Sequence, residues 1–228
     1  MKSQELIQRV QSLYSKGVQS DDTRLSSRHI FNKLTTVNNS LIFKKLARGE
    51  SLSNNFYLTL NLNVIPSEIF EDLCLDPVTC NISRTECEIP KIQFFKNKPL
   101  VKSLVSLDGF VKFNYTTFEN AKYLKGNKFT HNKQWYFFKD GYIYFIHSMK
   151  MKKIRLTAIF ENVEKVFTYT CNSNYNNCVD MTDIDFPTDD DLVDVIIQAS
   201  IQELIGMFMQ SREDLTNDNK DSLIQNSK

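Results

Sequence analysis

The residues with the most obvious chemical potential lie near the start. In "QSDDTRLSSRHIFNKL" (Gln19 to Leu34), a short stretch holds Asp21, Asp22, Arg24, Arg28 and His29. Carboxylates beside a histidine suit acid–base work, and paired arginines suit a phosphate or a carboxylate. The set is incomplete as a catalytic site, because no nucleophile elbow or glycine-rich phosphate loop accompanies it. The same residue types also open and dock helices: serines and aspartates cap, and arginines pair with carboxylates. The stretch therefore reads as the polar start of a docking helix, and no catalytic residue is assigned.

The other reactive side chains form no recognisable constellation. His29, His131 and His147 stand outside any spaced metal motif. Cys74, Cys80, Cys87, Cys171 and Cys178 include no C-x-x-C pair. Their odd number, with no export signal, argues against a disulfide framework and for free thiols packed as small apolar side chains. Metal binding or pairing among them stays open. "DLTNDNKDS" lacks the glycine and final glutamate of a calcium loop. "DMTDIDFPTDDD" reads mainly as helix capping. No metal or cofactor is assigned.

Composition narrows the classes further. The 228 residues can bury a real core, and the formal net charge of +1 argues against a nucleic-acid binder driven by bulk electrostatics. No run reaches the roughly 18 apolar residues of a membrane helix. "MKSQELIQRVQSLY" has a helical period rather than the apolar centre of a signal peptide, so a cytosolic origin is expected. Charge is uneven: residues 1–50 hold 9 Lys/Arg against 4 Asp/Glu, and residues 188–228 hold 3 against 9. Oppositely charged ends either pack together or face different partners.

The elements that position these residues follow from periodicity. Leu6, Val10 and Leu13 predict a helix over about 4–16, with Ser3 as its N-cap and Gly17 as its stop. Ile30, Leu34, Val37 and Leu41 predict a second over about 26–48, closed by Gly49. "FYLTLNLNVIP" alternates as a half-buried strand, and "SEIFEDLC" suggests a short helix. "KIQFF", "KSLVSL", "GFVKFNY", "IRLTAIFEN" and "KVFTYTC" are further strand candidates. "WYFFKDGYIYFIH" is the strongest hairpin, turning at Lys139, Asp140 and Gly141. Its aromatic residues suit either a hairpin buried on both faces or a stacking platform for sugars, with burial favoured. After Pro187, Thr188 and Asp191 suggest a capping box. From Leu192 to Phe208 apolar residues cover most of a helix, so that helix is expected to be buried; a short amphipathic pair of helices could cover part of it and a neighbouring subunit the rest. The polar stretch from Ser211 cannot support a core of its own.

The expected fold class is α+β. A helical bundle forms from the N- and C-terminal helices, with an inserted antiparallel β-sandwich or rolled-sheet domain and an extended C-terminal tail. The boundaries are 1–50 for the N-terminal helical part, 51–187 for the β-domain, 188–210 for the C-terminal helix and 211–228 for the tail.

Two blocks carry a resemblance: "SDDTRLSSRHIFNKLTTVNNSLIFKKL" and "DVIIQASIQELIGMFMQSREDLTNDNKDSL". With the helix–β–helix layout, they resemble the head-to-tail connector, or tail ring, proteins of crAss-like short-tailed phages. The resemblance implies a virion structural protein without enzymatic activity or cofactor. It implies a ring of twelve subunits that contacts the portal and other tail ring proteins and lets DNA pass without specific binding. The subunit or portal interface would then use Arg24, Arg28, His29, Ile201, Leu204, Phe208, Leu215, Leu223 and Ile224. The runner-up is a β-rich receptor- or glycan-binding tail module.

Overall fold

The computed structural model describes residues 1–15, 25–67, 82–121, 123–124, 133–146, 151–171, 180 and 182–206. The chain is α+β and divides into two compact units, Met1–Leu52 with Asp180–Lys228, and Ser53–Val179.

In the first unit, α1 (Ser3–Tyr14) buries Leu6, Ile7 and Val10. Leu13, expected on the same stripe, is 58% exposed. A helix start leaves backbone N–H groups without helical partners. Ser3 was expected to cap them, yet it is the first helical residue. The returning segment caps α1 instead. The Ser3 N–H donates to the Ile184 carbonyl (2.9 Å) and the Gln4 N–H to the Thr182 carbonyl (3.0 Å). The buried Ser3 hydroxyl also donates to the Ile184 carbonyl, at 2.8 Å.

Helix α2 (Ser27–Ala47) follows its period, burying Ile30, Phe31, Leu34, Val37 and Ile42. Ser26 caps it by accepting the His29 N–H at 3.2 Å. On the buried face Asn38 donates to the Pro187 carbonyl at 3.0 Å, and Phe31 meets Phe186 edge-on at 6.0 Å. A 3-10 turn, Asp190–Leu192, leads into helix α5 over residues 193–206. The expected capping box is absent: the Thr188 hydroxyl is buried without a hydrogen-bond partner. Asp189, which precedes the turn, lies 3.9 Å from Lys45. Lys33 pairs with Glu203, and with Lys45–Asp189 this fixes α2 and α5 as antiparallel neighbours. Lys2 likewise reaches Asp185 at 3.8 Å. The basic N-terminal helices thus pack against the described acidic residues Asp185, Asp189 and Glu203.

The second unit is one seven-stranded sheet. Its strands are β1 (Leu58–Pro66), β2 (Ile82–Thr85), β5 (Val101–Ser106), β6 (Phe113–Tyr115), β7 (Gln134–Lys139), β8 (Tyr142–Ile146) and β9 (Lys153–Ala158). A separate ribbon pairs β3 (Phe94–Phe95) with β4 (Lys98–Pro99). The order is β5-β9-β1-β2-β8-β7-β6, antiparallel except for the parallel pair β6–β7. A bridge between Val105 and Lys112 joins the outer strands, so the sheet is rolled and nearly closed. Closure removes the sheet edges that would otherwise invite pairing.

The roll has a core inside and a smaller cluster outside. Leu60, Leu62, Leu104, Phe145 and Leu156 belong to the first, and Thr59, Asn61 and Asn63 of β1 face solvent as alternation predicts. Outside, Phe137, Tyr144 and Ile146 gather Trp135 and Phe118, the latter from α3 (Phe118–Ala121). Phe137 and Tyr144 stack at 5.2 Å, and Phe118 lies 5.5 Å from Phe137. The aromatic hairpin is therefore packed on both faces, with Tyr136, Phe137 and Tyr144 buried and Trp135, Phe138 and Tyr142 half-buried. Its turn is two residues long, because Lys139 pairs with Tyr142 and Asp140 (φ 50°) and Gly141 (φ 80°) supply the left-handed backbone.

Three further expectations need correction. "KVFTYTC" is no strand: α4 (Val163–Phe167) begins in front of it, with the Asn162 side chain accepting the Lys165 N–H at 3.3 Å. Val163 and Val166 then point inward together, a helical rather than an alternating pattern. "GFVKFNY" becomes a strand only from Phe113, and Gly109 and Phe110 belong to the preceding turn. Cys87 and Cys171 are joined by a disulfide across 84 positions, not held as free thiols. Tertiary folding brings them together, which spacing alone cannot reveal. Cys74, Cys80, Cys178, His131, His147, Gly17 and "SEIFEDLC" apart from Ser67 lie outside the described residues.

Candidate assembly interface

The start of α2 is the first half of the expected interface. Leu25, Ile30 and Phe31 are buried and anchor it, while Ser26, Ser27, Arg28 and His29 are exposed. The cap on Ser26 fixes the first turn, so Arg28 and His29 project from a rigid base. Asp21, Asp22 and Arg24 lie outside the described residues.

Helix α5 is the second half. Val193, Ile196, Ile197, Ser200 and Leu204 form its inward stripe. Leu204 is fully enclosed by its own chain, so its side chain is spent on the subunit core. Ile201 is half-buried at the margin of that stripe. Val195 (45% exposed) and Ile205 (38%) stay open to solvent on other sides. The helix is thus apolar on most of its circumference, but one stripe suffices for the subunit. Phe208, Leu215, Leu223 and Ile224 lie outside the described residues.

Among the described residues, no group of three or more His, Cys, Asp or Glu side chains could hold a metal ion. The acidic run before α5 is used locally. Asp180 accepts the Thr182 N–H at 3.0 Å, and that backbone hydrogen bond, with one from the Thr182 side chain, holds its carboxyl below the usual range. No described helix is long and apolar enough to cross a membrane.

A family model described as phage tail ring protein 2 matches residues 5–223. The chain belongs to this tail ring family. It is also 29% identical over 175 residues to Ring protein 2 of Bacteroides phage crAss001, covering 70% of this chain and 76% of that protein. A tail ring protein has a structural role in the virion tail.

Sequence reasoning missed two features of this tail ring protein. Val195 and Ile205 were read only as part of a greasy helix, and no signal separated them from the inward stripe. The turn Leu107–Val111 was hidden because "GFVKFNY" reads as one continuous strand. The pair Asp108–Gly109 was the available turn signal.

Proposed function

We propose that this tail ring protein forms a twelve-subunit connector ring between portal and tail, enclosing the channel through which DNA passes. The observation that carries this reading is the helical unit's surface. Leu13, Val195 and Ile205 remain more than a third exposed although each sits on an ordered helix. Burying the part of each side chain that is still exposed contributes about 1 kcal/mol each, a drive that repeats at every contact of a closed ring.

In this reading α1, α2 and α5 act as a bundle, the part covering residues 1–50 and 188–210. It supplies the subunit contacts through Ile201, Val195 and Ile205. Arg24, Arg28 and His29 pair with carboxylates of the adjacent subunit or the portal. The rolled-sheet unit faces the next tail component. Phe208, Leu215, Leu223 and Ile224, from the polar C-terminal part, seat on the portal. A net charge of +1 suits a channel that must let DNA slide. Assembly takes place in the host cytoplasm.

Native mass spectrometry of the chain mixed with the portal of the same phage tests the proposal. The expected product is a portal carrying twelve copies. Reversing the charge of both Arg24 and Arg28 should make that product salt-sensitive. Assembly at unchanged salt tolerance would sink the role given to these arginines.

A further inference from the structure

The outer wall of the rolled sheet is covered on one side and open on the other. Over β7 and β8 the Phe137–Tyr144 cluster and α3 close it. Over β5, β9 and β1 the alternation that sends Leu60, Leu104, Ile154 and Leu156 inward sends Thr59, Asn61, Asn63, Lys153 and Arg155 outward. Directly opposed residues of paired strands share a face. Arg155 stands between Asn61 on one side and Val105 on the other, and Val105 in turn bridges to Lys112. Lys153 lies two residues back along β9, opposite Asn63. Lys102, at the irregularity in β5, reaches the Asn54 side chain and lies over the Tyr57 ring at 5.5 Å. One open sheet face thus carries Lys102, Lys112, Lys153 and Arg155, all exposed.

No carboxylate is paired with this set. Among the described residues Lys112, Lys153 and Arg155 have no ion-pair partner, whereas Lys33, Lys45 and Lys91 elsewhere meet Glu203, Asp189 and Glu161. Exposed Lys152, just ahead of β9, and exposed Lys133, just ahead of β7, continue the patch at its margin. The described acids there are Glu86, which accepts the Asn63 amide at 2.9 Å, and Asp108, which accepts the Phe110 N–H at 3.3 Å. Six cations against two carboxylates leave an excess of four positive charges.

The composition says what such a face meets. Protein interfaces are poor in lysine and rich in aromatic side chains. The outward residues of these three strands include no aromatic ring, and their one apolar side chain, Val105, is half-buried. A small anion would need converging, buried donors, and these cations are spread, about 7 Å apart along β9 and about 10 Å from Arg155 across β5 to Lys112. Spread cations with hydroxyl and amide side chains among them suit a long polyanion, and these are the side-chain types that contact nucleic-acid phosphates.

We infer that this face, through Lys102, Lys112, Lys153 and Arg155, contacts the phosphate backbone of double-stranded DNA. The contact is electrostatic and blind to sequence, the kind that lets a duplex slide. The net charge of +1 masks it, because acidic residues concentrate elsewhere, nine of them in residues 188–228. The choice of DNA rests on the proposed channel, and the inference assigns the surface turned to its lumen.

The test is binding of the full chain to fluorescein-labelled DNA duplexes of two unrelated sequences, read by polarisation over a series of salt concentrations. With one phosphate neutralised per named cation, log affinity should fall against log salt with a slope of about −3.6, equal for both sequences. Lys153→Gln/Arg155→Gln should reduce the slope to about −1.8. Lys98→Gln/Lys165→Gln removes the same charge on β4 and α4, away from the face, and should leave the slope unchanged. Absence of salt-dependent binding, or equal loss from the two double variants, overturns the inference. So does equally tight binding of poly-glutamate, which points to an acidic protein surface instead. Native mass spectrometry with the portal separates the two readings. Twelve-copy complexes from a parent indifferent to DNA overturn the inference alone. A parent that binds DNA through these residues but stays monomeric supports the contact and overturns the ring.

Discussion

Removing the disulfide between Cys87 and Cys171 is the perturbation whose magnitude the structure sets most directly. The bond joins the chain just after β2 to the segment just after α4, within the Ser53–Val179 unit. It closes a loop of 84 positions that contains β5 to β9. In the chain-entropy account, a closed loop of that length lowers the unfolded state's entropy enough to stabilise folding by about 4.5 kcal/mol. Native strain and residual structure in the unfolded chain reduce this, so about 2–4.5 kcal/mol is the expected loss. At about 4 °C per kcal/mol for a unit near this size, the melting temperature should fall by roughly 8–18 °C. The variant Cys87→Ser/Cys171→Ser isolates the bond from the other thiols. Melting followed by circular dichroism should show the fall, and reductant should bring the parent down to the variant's value. A variant that melts with the parent, and a parent indifferent to reductant, would refute the constraint.

Other expectations follow from packing and ionisation. Leu204→Ala should cost about 2–5 kcal/mol in chemical unfolding, because the side chain is fully enclosed; a loss under 1 kcal/mol would mean the α5 stripe is misplaced. Gly141→Ala should cost about 1–2 kcal/mol, since a Cβ is strained at φ 80°, while the Glu88 side chain 3.5 Å away is in ordinary contact and adds no clash. An unchanged denaturation midpoint would contradict the left-handed turn. Burial first, and Tyr115 second, raise the Tyr136 phenol above its ordinary value. Above about pH 10 the unfolded chain then binds fewer protons than the folded one, so stability falls as pH rises, by up to about 1.4 kcal/mol per pH unit for this group. Urea midpoints between pH 9 and 11 check the sign, and Tyr136→Phe should flatten the slope.

Local chemistry was legible in the sequence where one element decides its own form. The period of α2, the alternation of Leu60 and Leu62 in β1, and the turn at Asp140 and Gly141 all follow from neighbouring residues. Features made by distant segments were not legible. The capping of α1 by Thr182 and Ile184, the Cys87–Cys171 bond and the order of the seven strands depend on contacts between segments far apart in the chain. "KVFTYTC" misled because its alternating β-branched and aromatic residues match a strand, while the Asn162 cap and inward packing of Val163 and Val166 select one helical turn. At the candidate interface, the polar start of α2 could be read from its residue types. The exposure of Val195 and Ile205 could not, because a helix apolar on most sides does not say which side its own chain covers.

Cryo-electron microscopy of the intact tail, averaged around its axis at the level below the portal, tests the central claim most directly. The account predicts twelve copies of a density that accepts the seven-stranded rolled sheet and the antiparallel pair α2–α5, enclosing an open channel. A connector density with no room for the rolled sheet, or this chain found only away from the tail axis, would contradict it.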